Sequence, residues 1–306
     1  MLEVTRRLND RASLTLYMLD RKISYQVFKD HPTLIVCPGG SYLFRAKKES
    51  EPIALTFLAR GYNVVLLNYS TYFLERVDLK SAKPKTDAKS HYPRQLRELV
   101  QALKVLKELS AEYKIDLTRL FLLGFSAGGH LAASYAVHWN NHQYLARIGI
   151  DVSDCIKLQG LLLAYPMLTG ELGDVIRHGQ KNASIMEQLP YLNSAIYGCQ
   201  QPTQAQKAEL NLVQQVNANV PPTFLWQSLQ DEVTSVEDSL AWVTKLTKLG
   251  VECESHFFGS GKHGMGLAND IAAKTSADED AACSKWVELA DLWLRRHDSI
   301  TGGLDR

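Results

Sequence analysis

The chain has 306 residues, 45% of them hydrophobic, enough to bury a sizeable core in one large α/β domain or two smaller ones. Its 34 Lys and Arg stand against 33 Asp and Glu. That balance creates no strong overall field for nucleic acid or an anionic membrane surface, so a neutral or weakly charged substrate is expected. No apolar run reaches bilayer-spanning length.

The predicted elements run in a regular alternation. Residues 13–19 (SLTLYML) read as a strand, with 22–28 (KISYQVF) as its hairpin partner around Asp20 and Arg21. Residues 33–37 (TLIVC) form a continuous apolar run, as strands buried on both faces of a parallel sheet do. A helix is expected over 51–60 and stops at Gly61, where a left-handed residue suits a helix C-terminus. A buried strand follows at 63–67, and the lysine-bearing stretch 75–90 reads as a surface loop. Pro93 suits the first turn of a helix whose apolar face is Leu96, Leu99, Val100, Leu103 and Leu106. Further strands are expected at 120–123, 160–165, 223–226 and 252–258. Helices are expected at 127–139, 236–249 and 280–296, the last with Trp286, Leu289, Leu292 and Trp293 on one side.

This alternation predicts a mostly parallel central sheet with helices on both faces and an antiparallel N-terminal edge. No internal repeat and no second domain boundary is visible, so residues 1–306 read as one domain. The pattern breaks between Met167 and Pro222, a segment rich in Gln and Asn. It is long for a simple connection, and 167–222 is therefore expected to be a cap-like insertion or a substrate-shaping segment.

The chemistry centres on Gly124-Phe125-Ser126-Ala127-Gly128. In a Gly-x-Ser-x-Gly turn, small residues let a strand bend sharply into a helix. The serine then projects at the carboxyl edge of the sheet. The amide of Ala127, at the helix N-terminus, can bind a developing oxyanion. Alone, such a match is as often a structural turn, so partners decide it. A serine hydroxyl needs a base. His263 follows the strand ending at Phe258, in Gly259-Ser-Gly-Lys-His263-Gly-Met-Gly, where open α/β sheets place their active sites.

The other histidines fit less well. His130 lies one helical turn past Ser126 and reads as a packing residue; His256 lies within an apolar strand. His138, His142, His178 and His297 read as solvated surface, and His31 and His91 precede the serine. Asp231 follows the strand Thr223-Phe-Leu-Trp-Gln-Ser228, and no other acid between Ser126 and His263 follows so clear a strand. The order Ser126, Asp231, His263 is that of nucleophile, acid and histidine in α/β-hydrolases. Cys37-Pro-Gly-Gly-Ser-Tyr42 follows the third strand. Pro38 lacks an amide hydrogen, so Gly40 and Ser41 are the oxyanion donors expected beside Ala127. Gly259-x-Gly261-x-x-Gly264 formally matches a dinucleotide fingerprint but lacks the following strand and acidic residue.

The stretches CPGGSY, EPIALTFLARGYNVVLLNYS, HYPRQLREL, IDLTRLFLLGFSAGGHLAASYA, PPTFLWQSLQDEVTSVEDSL and FGSGKHGMGLA together resemble the acetyl esterase branch of the α/β-hydrolases. That branch is related to hormone-sensitive-lipase-like esterases and to bacterial acetylxylan and feruloyl esterases. The resemblance implies Ser126 as nucleophile, Asp231 and His263 as its partners, and the Gly40–Ser41 region as oxyanion loop. It also implies a serine carboxylesterase acting on short acyl esters, often acetyl groups on sugars. Many relatives carry His-Gly-Gly-Gly or Pro-Gly-Gly-Gly where this chain has Pro38-Gly-Gly-Ser41. The rival functions are an amidase or peptidase of the same fold and a non-catalytic ligand receptor.

No cofactor is expected, and no metal, because the Cys and His residues lack ligand spacing. The expected partner is a small-molecule ester, with no nucleic acid and no membrane; a homo-oligomer stays open. The N-terminal residues contain two arginines but no apolar run or small-residue cleavage site, which predicts no secretory leader. Cys37, Cys155, Cys199, Cys253 and Cys283 are scattered and form no CxxC pair. They read as reduced thiols of a cytoplasmic protein.

Overall fold

A computed structural model of the chain describes residues 1–19, 31–77, 79, 82–172, 176–177 and 180–298. Its centre is an eight-stranded sheet. In chain order the strands are β1 (Leu2–Arg7), β2 (Ser13–Met18), β3 (Thr33–Cys37), β4 (Asn63–Asn68), β5 (Leu120–Phe125), β6 (Gly160–Ala164), β9 (Thr223–Ser228) and β10 (Cys253–Phe258). In space they run β1-β2-β4-β3-β5-β6-β9-β10. The pairs β1–β2 and β2–β4 are antiparallel and the other five are parallel. This is the expected α/β-hydrolase architecture, antiparallel edge included. Two short strands, β7 (Ile176–Arg177) and β8 (Gln180–Lys181), form a separate hairpin.

The helices are α1 (Glu51–Leu58), α2 (Arg94–Tyr113), α3 (Ala127–His138), α4 (His142–Arg147), α5 (Ala183–Tyr197), α6 (Gln204–Glu209), α7 (Leu212–Gln215), α8 (Val236–Lys248) and α9 (Trp286–His297). Strands β3, β5, β6 and β9 are buried along their whole length, because helices cover both faces of the sheet. On one face lies a core containing Leu96, Leu99 and Leu103 of α2, Leu131 of α3 and Trp242 of α8. On the other lie Ile53 and Phe57 of α1 with Trp286 and Trp293 of α9. Helix termini follow local chemistry. The Ser235 side chain accepts from the Asp238 N–H at the start of α8, and Gly198 adopts a left-handed conformation at the end of α5.

Three expectations need correction. Strand β2 is flanked by β1 and β4, so the antiparallel edge is built from Leu2–Arg7; residues 22–28 lie outside the described residues. The last helix begins at Trp286, preceded by a 3-10 turn at Cys283–Lys285. Its buried face is Trp286, Val287, Ala290, Trp293 and Leu294, while Leu292 is 66% exposed. The tryptophans rotate the helix so that 286, 290 and 293 face the sheet. Finally, His138 is buried, its ring stacked on Tyr144 with centroids 3.6 Å apart, and His297 packs on the Trp293 ring. His178 lies outside the described residues. Among the described residues no helix is long and apolar enough to cross a membrane.

Candidate active site

Parallel strands end at one edge of a sheet, so the loops after β3, β5, β6, β9 and β10 gather there. The register brings Cys37 opposite Gly124, Phe125 opposite Ala164, and Phe258 opposite Ser228. Each loop delivers a chemical group within a few residues of its strand.

Ser126 occupies the bend between β5 and α3 with φ 50° and ψ −116°, a conformation that costs a non-glycine residue about 1–3 kcal/mol. The surrounding hydrogen bonds hold it. Its N–H donates to the Ala164 carbonyl at 3.1 Å, and its own carbonyl accepts from Met167 and His130. The flanking glycines are sterically required. A Cβ on Gly124 would lie 2.2 Å from the Gly128 carbonyl oxygen, and a Cβ on Gly128 would lie 2.0 Å from that of Cys37. The first turn of α3 is thus pressed directly against the end of β3.

The Ser126 Oγ lies 2.8 Å from His263 Nε2, and His263 Nδ1 lies 2.8 Å from Asp231 Oδ2. With Nδ1–H donating to the carboxylate, Nε2 is free to accept the serine proton. Asp231 is fully buried and well supplied with donors. The amides of Val233 and Thr234 donate to Oδ1; the Gln227 side-chain amide and the Thr234 hydroxyl donate to Oδ2. Burial by itself would raise the Asp231 carboxyl, but the adjacent His263 ring and these amides outweigh it and hold it below the ordinary aspartate value.

After β3 the chain takes three consecutive residues through positive φ: Gly40 (115°), Ser41 (59°) and Tyr42 (58°). A Cβ at Gly40 would meet the Phe44 carbonyl oxygen at 2.1 Å. The loop is anchored from beneath. Tyr42 Oη is 2.9 Å from His130 Nδ1, and the Tyr69 hydroxyl donates to the Pro38 carbonyl. His130 is therefore a buried packing partner of this loop, and burial lowers its pKa to about 3. Among the described residues, the amides of Gly40, Ser41 and Ala127 donate to no protein acceptor. Gly40, Ser41, Ser126 and His263 line one cavity of about 640 Å³. Ala127, the first residue of α3 and next to Ser126, is fully buried and does not line that cavity.

The sequence pattern did not single out Glu49, Tyr165 or Thr234. Glu49 is 2% exposed and accepts from the Gly39 N–H at Oε2 and from the Tyr165 hydroxyl at Oε1, both at 2.8 Å. Tyr165 Oη in turn accepts from the Gly266 N–H at 2.9 Å. One carboxylate thus ties the loop after β3 to the loop that carries His263. Burial pushes the Glu49 carboxyl above its ordinary value, against the opposing pulls of Tyr165, His263 and the Gly39 amide. Thr234 Oγ1 lies 3.3 Å from His263 Nδ1 and backs the Asp231 contact. No spacing rule marks Glu49 or Tyr165, which act across segments far apart in sequence; Thr234 lies three residues past Asp231, but its approach to His263 is a long-range contact. No group of three or more His, Cys, Asp or Glu suited to a metal occurs among the described residues.

Residues 19–246 match the BD-FAE family. The chain is 29% identical over 242 residues to the endo-1,4-β-xylanase B of Butyrivibrio fibrisolvens, an alignment covering 78% of this chain and 33% of that protein. The chain therefore spans about a third of the length of this curated relative. Among solved structures, it is similar to a sugar hydrolase (YeeB) from Lactococcus lactis, with TM-score 0.72 and 29% identity, covering 96% of this chain and 98% of the other. It is similar to the carboxylesterase Cest-2923 from Lactobacillus plantarum, with TM-score 0.77 and 26% identity over 97% and 98% of the two chains. It is also similar to an acetyl ester-xyloside bifunctional hydrolase from Caldicellulosiruptor lactoaceticus, with TM-score 0.68 and 28% identity over 92% and 86%. A family match along most of the sequence, on a sheet shared with these hydrolases, means that the chain belongs to the BD-FAE family of α/β-hydrolases.

Proposed function

We propose that the chain is a serine carboxylesterase that hydrolyses short-chain acyl esters, acetyl esters of small saccharides foremost, through an acyl-enzyme on Ser126. The observation that carries this reading is the unbroken hydrogen-bonded series Ser126–His263–Asp231 opening on a cavity bordered by Gly40 and Ser41. The saccharide part rests on the similarity to a sugar hydrolase and to an acetyl ester-xyloside bifunctional hydrolase.

In this mechanism Ser126 Oγ attacks the ester carbonyl carbon as its proton passes to His263 Nε2. Asp231, held ionised by its neighbours, keeps the imidazole oriented and stabilises its charge. The oxyanion is received by the amides of Ala127 and of Gly40 or Ser41, each donor worth on the order of 3 kcal/mol. The tetrahedral intermediate collapses, the C–O bond breaks, and the alcohol leaves with the His263 proton. Water then adds to the acyl carbon, its proton passing to His263. The second collapse releases the carboxylic acid and returns the proton to Ser126. On the same reading residues 1–306 act as one domain and 167–222 shape the substrate space, since Ile185 and Gln188 of α5 line the cavity.

The test is hydrolysis of p-nitrophenyl acetate and an acetyl-to-octanoyl series. Ser126→Ala is expected to lower kcat at least about a thousandfold. Wild-type turnover in that variant would refute the proposal.

A further inference from the structure

The cavity that contains Ser126 shares part of its lining with a second one. The inner one contains the serine and His263; the outer one, about 710 Å³, runs past Pro52, Thr71 and Ile271. Both are bounded by the same five side chains, Phe44, Lys47, Lys48, Arg76 and Lys274. Four of these are cationic, so anything extending from one cavity into the other passes a positive wall.

The charges are unevenly compensated. Lys48 pairs with Asp278 at 3.3 Å, and Asp278 is shared with Lys262 at 3.0 Å. The Arg76 guanidinium lies over the Phe44 ring, 4.4 Å from its centroid, and keeps its charge toward the junction. Among the described residues, Lys47, Arg76 and Lys274 form no ion pair with a carboxylate. The acids nearby are otherwise engaged or displaced. Both oxygens of Glu49 are occupied by Gly39 and Tyr165, and Glu75 pairs with Lys85 at 3.8 Å. Glu51 and Glu75 line only the outer cavity. Lys47, Arg76 and Lys274 come from three loops, after β3, β4 and β10. Gathering like charges is unfavourable by itself, and although Lys47, Arg76 and Lys274 are exposed, their fields add on whatever enters the space they share. The near-zero net charge of the whole chain conceals this local excess.

We propose that this junction is an anion-binding subsite and that the preferred ester carries a carboxylate on the part reaching from Ser126 toward Lys47, Arg76 and Lys274. The inference rests on the esterase reading above and narrows its substrate class to acidic esters, uronic acid saccharides among them.

The test uses an acetylated methyl glucuronoside and the matching acetylated glucuronamide, which are closely similar in shape but differ in charge, with p-nitrophenyl acetate as neutral reference. At low salt the wild-type protein is expected to favour the carboxylate by about tenfold in kcat/KM, and salt at about 0.5 M should remove most of that preference. Replacing the three cations together (Lys47→Ser, Arg76→Ser, Lys274→Ser) should bring the ratio of the two sugar esters near one, and Lys47→Glu should reduce it. The ratio is internal to each protein, so a partly unfolded variant does not distort it. If the wild-type protein cleaves p-nitrophenyl acetate but treats both sugars alike, the subsite is refuted and the esterase reading stands. If it cleaves no ester, the esterase reading fails, and calorimetry of the wild-type protein with glucuronate and with glucose decides the subsite. Salt-sensitive binding of glucuronate alone sustains it; equal or absent binding overturns it.

Discussion

Glu49 shows how a single side chain can join two functional loops. Its carboxylate holds the amide of Gly39 directly and that of Gly266 through Tyr165. Removing it in Glu49→Ala leaves two buried donors without a partner, at about 1–3 kcal/mol each. The variant is expected to lose about 2–4 kcal/mol in urea unfolding and to hydrolyse acetate esters more slowly. Glu49→Gln keeps the volume and an acceptor for Gly39, and is expected to retain most of that stability. Equal stability of Glu49→Ala and wild-type protein would show that the link carries no weight. Asp231 and His263 were legible from the chain because each follows a recognisable strand. Glu49 was not, because no local pattern marks it: it joins Gly39 in the loop after β3 to Tyr165 just past β6 and, through Tyr165, to Gly266 after β10.

The elements follow from local pattern where burial is two-sided or striped. Continuous apolar runs made β3, β4, β5 and β6 visible, and a helical stripe did the same for α2. The junction of β5 with α3 depends on a backbone contact that only glycine permits. Gly128→Ala would place a methyl group 2.0 Å from the Cys37 carbonyl oxygen, so strand β3 or helix α3 must shift. Overpacking of this kind costs about 1–3 kcal/mol. The expected outcome is a lower melting temperature together with a fall in acetate hydrolysis, because the shift moves Ser126 relative to Gly40 and Ser41. Unchanged values of both would show that the contact relaxes freely. Helix α9 is the opposite case. Its two tryptophans set its rotation by packing on Phe121, Phe125 and Trp226, which turns Leu294 inward and leaves Leu292, expected on the buried side, exposed.

At the scale of the whole molecule, stability is coupled to pH through buried histidines. Burial lowers His130 to about 3 and His138 to about 4. As pH falls below 6.5, the ordinary histidine value, the unfolded chain takes up protons that the folded chain refuses until much lower pH. Stability is therefore fully present above that value and declines as pH falls, by up to about 1.4 kcal/mol per pH unit for each histidine. Asp231, held low, adds a further loss as pH falls through the ordinary aspartate value of 3.8, where the unfolded chain binds a proton that the folded carboxylate still refuses. Urea unfolding at pH 7, 6 and 5 should show this slope, and His130→Gln should make it shallower. An identical slope in the variant would remove His130 from the account.

Short-range pattern settled the parallel sheet, its strand-loop-helix rhythm, and the placement of Ser126, Asp231, His263 and the Gly40–Ser41 loop at strand ends. These depend on periodicity and on residues that bend the chain, both readable within a few positions. Contacts between distant segments decided the rest. They made β1 the sheet edge, buried His138, joined Glu49 to Tyr165, and collected Lys47, Arg76 and Lys274 around one junction. No local pattern encodes these outcomes, because each arises from packing that exists only once the sheet has brought its loops to the same edge.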